Sequence, residues 1–329
     1  MAPHALPAGM TLSHATQNNN SIVWGVIGLS SGLILILMYL RLCCNRTAKY
    51  RTEDYLGLLS LLFFFASVGV LSQIPRRSGF FVHQRDQTEE STEWFLYYYS
   101  VSATIQHVTK FLIQMGTFIE FSHIFVATPW KNPTWWVSYA LMVVSTIVCL
   151  ASVLVEVFTC QPRERFWKPS VPGTCVDSAH FNITISSVHL VLDVFVFAIP
   201  QAVVWWAKAL TRRNKIRVSM AFSVSILSCA WAAGRVQSAV DLRRSGDSNY
   251  TYSRFLLWGL AELATSIIVF CVPKVPALVR DAGLPRCLAR FSPSKIKDEF
   301  SLRVLSPNAG DGSIERLLPP KPARLRGAF

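Results

Sequence analysis

Charge is scarce in this chain. Asp, Glu, Lys and Arg make up only 16% of its 329 residues, against about 25% in a soluble domain, which argues against an ordinary soluble fold. The alternation of apolar and polar residues that marks a membrane barrel is absent. So is an internal repeat of the kind that builds many transporters. Neither His-Glu-x-x-His nor Gly-x-x-x-x-Gly-Lys occurs, which removes the zinc-peptidase and P-loop chemistries that those spacings serve. None of the eight cysteines has zinc-ligand spacing. On these grounds no catalytic residue, no metal and no cofactor is expected. A net charge of +13 would suit nucleic acid. The basic residues flank long apolar runs instead, so no nucleic-acid partner is expected.

Apolar length is what the chain has. Hydrophobic residues make up 51% of it, with 21 Phe and 10 Trp. A bilayer core of about 30 Å calls for roughly 20 apolar residues per spanning helix. Seven stretches qualify: 22–42, 54–74, 94–126, 135–158, 183–207, 218–240 and 255–279. Backbone in hydrocarbon must satisfy its own hydrogen bonds, so these stretches are helices. The fold class is therefore an all-α polytopic membrane protein, a bundle of seven transmembrane helices whose environment is the lipid bilayer, in the plasma membrane or an endomembrane. Residues 1–21 form a short extracellular segment, 22–280 the membrane domain, and 281–329 a basic cytoplasmic tail rich in Pro, Ser and Gly.

Lys and Arg set the orientation. Of the 32, 21 fall in the first, third and fifth loops and the tail, and nine on the other side. The amino terminus is expected outside and the carboxyl terminus in the cytoplasm. Three sequons, at Asn19, Asn182 and Asn249, fall on the outer side and are candidate glycosylation sites. No Lys or Arg precedes the first run, which therefore reads as an inserted helix and not a cleaved signal. Within it, Gly28-Leu29-Ser30-Ser31-Gly32 fits a small-residue packing motif. Cys160 and Cys175 are the two cysteines of an outer loop, in an oxidising compartment, and are expected to form a disulfide.

Ionisable groups inside a bilayer cost about 2.5 to 3.5 kcal/mol each on insertion scales, so they face partners or cavities. The candidates are Lys110, Glu120, Glu156, Asp193, Arg235 and Glu262, with His107, His123 and His189. On the third helix, Gln106, Lys110, Gln114, Thr117 and Glu120 share one face at 100° per residue. On the fifth, Ser186, His189 and Asp193 do the same. Residue depths bring Lys110, Asp193, Arg235 and Glu262 to one intramembrane polar site in the outer half. That site either binds a lipophilic or small-molecule ligand or ties the helices together.

Several segments carry a family pattern. Thr159-Cys160-Gln161-Pro162 is followed by Trp167 and Gly173-Thr174-Cys175-Val176-Asp177. Asn182, Asp193 and Ile199-Pro200 come next, then Arg212-Arg213-Asn214-Lys215-Ile216, Gly234-Arg235, Glu262 and Val272-Pro273. In this order the chain resembles the fungal rhodopsin-like integral membrane proteins, a family also named after a protein of the satratoxin mycotoxin cluster. The resemblance implies seven helices and a place beside secondary-metabolite genes, trichothecene chemistry included. It implies no retinal, since the seventh run has no mid-membrane Lys. The third run ends Glu120-Phe121-Ser122-His123 without Asp-Arg-Tyr, and the seventh lacks Asn-Pro-x-x-Tyr, so the familiar receptor signals are missing. The expected function is a receptor-like or accessory role in secondary-metabolite biosynthesis. The alternatives are a membrane-embedded enzyme tailoring a lipophilic intermediate and a transporter of small solutes or toxin.

Overall fold

The computed structural model describes residues 14–43, 51–82, 87–125, 133–206, 219, 223–244 and 247–271. Among them lie seven long helices: α1 (His14–Cys43), α2 (Thr52–Leu71), α4 (Glu89–Phe125), α5 (Pro133–Val157), α6 (Ser178–Trp206), α7 (Val224–Arg244) and α8 (Ser248–Cys271). A single turn, α3 (Ile74–Arg77), follows α2. Of the amino-terminal segment expected over 1–21, residues 1–13 lie outside the described residues and 14–21 belong to α1; the tail expected over 281–329 and the Asn19 side chain also lie outside them.

The helices outrun the apolar stretches at most ends. α1 starts at His14 and carries Gln17–Asn20, a polar tract expected to precede the helix. α6 begins at Ser178 and α8 at Ser248, five and seven residues ahead of their apolar runs. First helical turns present unsatisfied N–H groups and favour polar residues, so apolar runs miss them.

Five of the described helices are long and apolar enough to cross a membrane: those of Val23–Leu42, Thr52–Arg77, Pro133–Val157, Ser178–Trp205 and Ser248–Cys271. α4 and α7 have the length, at 37 and 21 residues, but more polar composition. Their polar residues are turned inward. Gln106, Lys110, Gln114, Thr117 and Glu120 are all buried, as are Ser225, Ser228, Arg235 and Ser238.

α4 packs against α2, α5 and α8, α7 packs against α6 and α8, and α1 lies along α8. Small residues bring α5 close to its neighbours. Ser138, Ser145 and Ser152 are buried at seven-residue spacing, while Val143, Val144, Ile147, Leu150 and Leu154 face outward. Without a hydrophobic drive between helices in lipid, such small-residue seams are how backbones approach. α8 is buried on nearly every side.

One end of the bundle is closed by a clamp. Arg41, at the end of α1, donates from Nε and Nη2 to Asp54 Oδ1 of α2, both at 3.2 Å. Its Nη1 donates to Glu120 Oε2 of α4 at 2.8 Å and to the Phe270 carbonyl of α8. The guanidinium also lies 3.6 Å over the Phe270 ring. That ring fills a slot where β-carbons are missing: one on Gly57 would collide with Phe270 Cε1, and one on Gly116 would stand 3.2 Å from Cε2.

The opposite end carries a hairpin. β1 (Cys160–Gln161) pairs antiparallel with β2 (Thr174–Cys175), in register Cys160↔Cys175 and Gln161↔Thr174. The expected disulfide joins Cys160 to Cys175. A 3₁₀ turn, Arg163–Phe166, lies between the strands and lays Phe166 over Tyr99 of α4, ring centroids 6.3 Å apart.

Candidate functional site

Period 3.6 puts a polar group on one face of α4 at nearly every turn from Tyr99 to Glu120. Those 21 steps rise about 32 Å, the thickness of a bilayer core. Lys110 stands midway. Its ammonium donates to both carboxylate oxygens of Asp193 on α6, at 2.7 and 2.9 Å, and to Ser266 Oγ of α8 at 3.1 Å. It also lies 2.8 Å from Glu262 Oε1. Glu262 Oε2 in turn accepts from Arg235 Nη1 at 3.4 Å. Four charged side chains from α4, α6, α7 and α8 thus meet, each 3% exposed or less, and their formal charges cancel.

Hydroxyls and an amide complete the set. Ser228 Oγ donates to Asp193 Oδ2 at 2.8 Å. Gln114 reaches Asp193 Oδ1 at 3.5 Å and accepts from Ser145 of α5 at 3.0 Å. A water-sized cavity opens beside Asp193 toward the clamp, lined by Gln114, Thr117, Ser225 and Ser228. Charges this deep need both neutralisation and hydrogen bonds, and α4 is the helix that supplies the shared cation.

The structure therefore brings together Lys110, Asp193, Arg235 and Glu262. They meet at the level of Lys110, midway along the polar face of α4. Cys160 and Cys175 stand apart in the hairpin. The Asn182 amide is buried and donates to the Tyr99 hydroxyl at 3.3 Å. The Asn249 amide is buried against Gln87 and Thr92. A glycan on either would have to displace these contacts. Gly28-Leu29-Ser30-Ser31-Gly32 also spells Gly-x-Ser-x-Gly, a nucleophile pattern that needs a strand-to-helix turn. Ser30 instead sits mid-helix, its hydroxyl donating to the Ile27 carbonyl at 3.0 Å, and β-carbons on Gly28 and Gly32 would meet nothing within 4 Å.

Sequence reasoning missed the clamp. Arg41 counts there as a loop cation and is in fact 3% exposed. Its place at the very end of an apolar run, with Asp54 opening the next, is the one signal that could have found it.

A second water-sized cavity lies beneath the hairpin, lined by Tyr99, Glu156, Thr159, Phe166 and Asn182. Outside the spanning helices, Asp177 caps α6: its Oδ1 accepts from the N–H groups of Ala179 and His180 at 3.0 and 3.2 Å. A hydrogen bond from the His180 side chain, with those backbone bonds, holds its carboxyl below the usual carboxylate range.

Long apolar helices around a buried, charge-balanced polar centre define a membrane helical bundle. The model of the fungal rhodopsin domain matches residues 36–281, and the chain belongs to that family. It is 26% identical over 282 residues to "Fugralins biosynthesis cluster protein 2" of Gibberella zeae, a match covering 83% of this chain and 69% of the relative. It is 26% identical over 136 residues to "Satratoxin biosynthesis SC1 cluster protein 4" of Stachybotrys chartarum, covering 41% of this chain and 48% of that one. No solved structure matches.

Proposed function

We propose that this chain is a seven-span membrane protein with its amino end outside and its tail cytoplasmic, serving fungal secondary-metabolite biosynthesis in a receptor-like or accessory role. The working site in this reading is the polar centre of Lys110, Asp193, Arg235 and Glu262, and what it senses is a lipophilic small molecule. The observation that carries the reading is that centre: four buried charges from four helices, in a chain whose relatives are named as biosynthesis cluster proteins. Excess Lys and Arg in the odd-numbered loops and tail supports the orientation. A reporter active only in the cytoplasm, fused at residue 329, gives signal.

Gene removal followed by metabolite profiling tests the role. A receptor or accessory protein changes the amount of the cluster's end product, with no single unfinished intermediate accumulating. Build-up of one intermediate assigns a tailoring enzyme instead. Retention of finished product inside the cell assigns a transporter.

A further inference from the structure

Between the charged centre and the hairpin lies a layer of polar side chains with atoms that find no hydrogen-bond partner among the described residues. Arg235 uses Nη1 on Glu262, but its Nε and Nη2 have no hydrogen-bond partner among the described residues. Both ring nitrogens of His107 on α4 and of His189 on α6 are in the same condition, as are Gln106 Oε1 and Ser186 Oγ. All five residues are 3% exposed or less. They are neighbours. The two imidazoles stack with centroids 5.8 Å apart. A β-carbon on Gly259 of α8 would collide with Gln106 Oε1 and stand 3.3 Å from Arg235 Cζ, which places that amide beside the guanidinium.

Buried polar groups in native proteins find partners, and each one left without a partner costs stability. A guanidinium cannot escape by losing its proton. Hydrocarbon supplies no acceptor. The unused set offers donors on Arg235, both a donor and an acceptor on each neutral imidazole, and an acceptor on Gln106. A partner with hydroxyl or carbonyl oxygens satisfies both kinds. The neighbouring charges already cancel, two cations against two carboxylates, so an ionised partner would arrive uncompensated. Aromatic rings form the wall on the hairpin side: the Arg235 guanidinium lies 4.5 Å over Phe255, and Tyr99 stands next to Phe255 and Tyr252 at 6.4 and 4.2 Å.

We propose that His107, His189, Gln106 and Arg235 form the recognition surface for an uncharged, lipophilic, ring-containing molecule bearing hydroxyl or carbonyl oxygen. Arg235 belongs to both sets: its Nη1 is held by Glu262 while Nε and Nη2 face the ligand, so the charged centre takes part in recognition through Arg235. This rests on the ligand-sensing reading above and deepens it by naming the contacts and the chemical class.

Matched probes test it on the full chain in lipid nanodiscs: trans-1-decalone, trans-1-decalol, decalin and ionised decalin-1-carboxylate. The ketone and alcohol raise the melting temperature by about 2 °C or more at saturation, while decalin and the carboxylate do not. His107→Phe and His189→Phe, which remove unpaired nitrogens, melt at or above the wild-type temperature without probe and lose the shift. A purely structural role would give the reverse, a lowered melting temperature with the shift intact. An equal response to decalin, preference for the carboxylate, no shift with any probe, or a shift retained in both variants overturns the proposal. Binding without any metabolite change on gene removal would sink the cluster role and leave this site standing. A metabolite change without probe binding would do the opposite.

Discussion

Lys110 and Asp193 are 83 positions apart in sequence and joined at the middle of the bundle, the ammonium donating to both carboxylate oxygens at 2.7 and 2.9 Å. The pair links α4 to α6, and through Glu262 and Arg235 the same network reaches α8 and α7. Stability should follow charge balance at this point more than the number of bonds. Lys110→Met leaves two buried carboxylates facing one guanidinium and should cost about 3–5 kcal/mol. Lys110→Met with Asp193→Leu restores the balance between Arg235 and Glu262 and should recover most of that loss. Thermal melts of the two variants in one detergent check the order. A double variant less stable than the single would contradict it.

The clamp end predicts a steric effect. Gly57→Ala drives a methyl into the Phe270 ring and should cost about 1–3 kcal/mol. Adding Phe270→Leu, which shortens the obstructing side chain, should return part of it. Unchanged melting in Gly57→Ala would mean that α2 and α8 are not held at the observed approach.

The hairpin predicts a reduction effect. Cys160 and Cys175 close a loop with sequence separation 15, for which chain-entropy arguments give about 3 kcal/mol. Replacing both by Ser should lower stability by up to that amount and speed proteolysis between residues 160 and 175. Non-reducing peptide mapping of the wild type should recover the two joined.

The start of α6 predicts a pH effect with a definite sign. The Asp177 carboxyl is held low chiefly by its His180 hydrogen bond, so its folded value lies below the free value of about 3.9. Its capping contribution is fully present above that free value and is lost as pH falls through the folded one. Protection of the Ala179 and His180 amides, corrected for intrinsic exchange, should drop in that acid window. It should be flat from pH 5 to 8. A drop anywhere between pH 5 and 8 would contradict this assignment to the Asp177 carboxyl.

Much of this architecture was legible because it is periodic. The inward face of α4 could be read from Gln106, Lys110, Gln114, Thr117 and Glu120, since polar residues at helical spacing within an apolar context have one place to go. The convergence of Lys110, Asp193, Arg235 and Glu262 followed from depth counting, which works for helices of uniform rise. Side-chain reach is invisible to that counting, and it is what lets Arg235 meet Glu262. Arg41 was hidden for a related reason: a cation closing an apolar run looks the same whether it meets solvent or a carboxylate. Nor does a sequence reveal which imidazoles lack partners. His107 and His189 lie on α4 and α6, and that their nitrogens lack hydrogen-bond partners among the described residues depends on what the neighbouring helices place nearby.

Whether the charged centre works or merely holds the bundle together turns on one pair of substitutions. Lys110→Met with Asp193→Leu separates the two, because it keeps the charges balanced while erasing half of the centre. Expressed in a strain lacking its own copy, this variant should accumulate to the wild-type protein level and still leave the metabolite profile of the deleted strain. A wild-type profile from the same protein level would contradict a working role and reduce the centre to a structural tie.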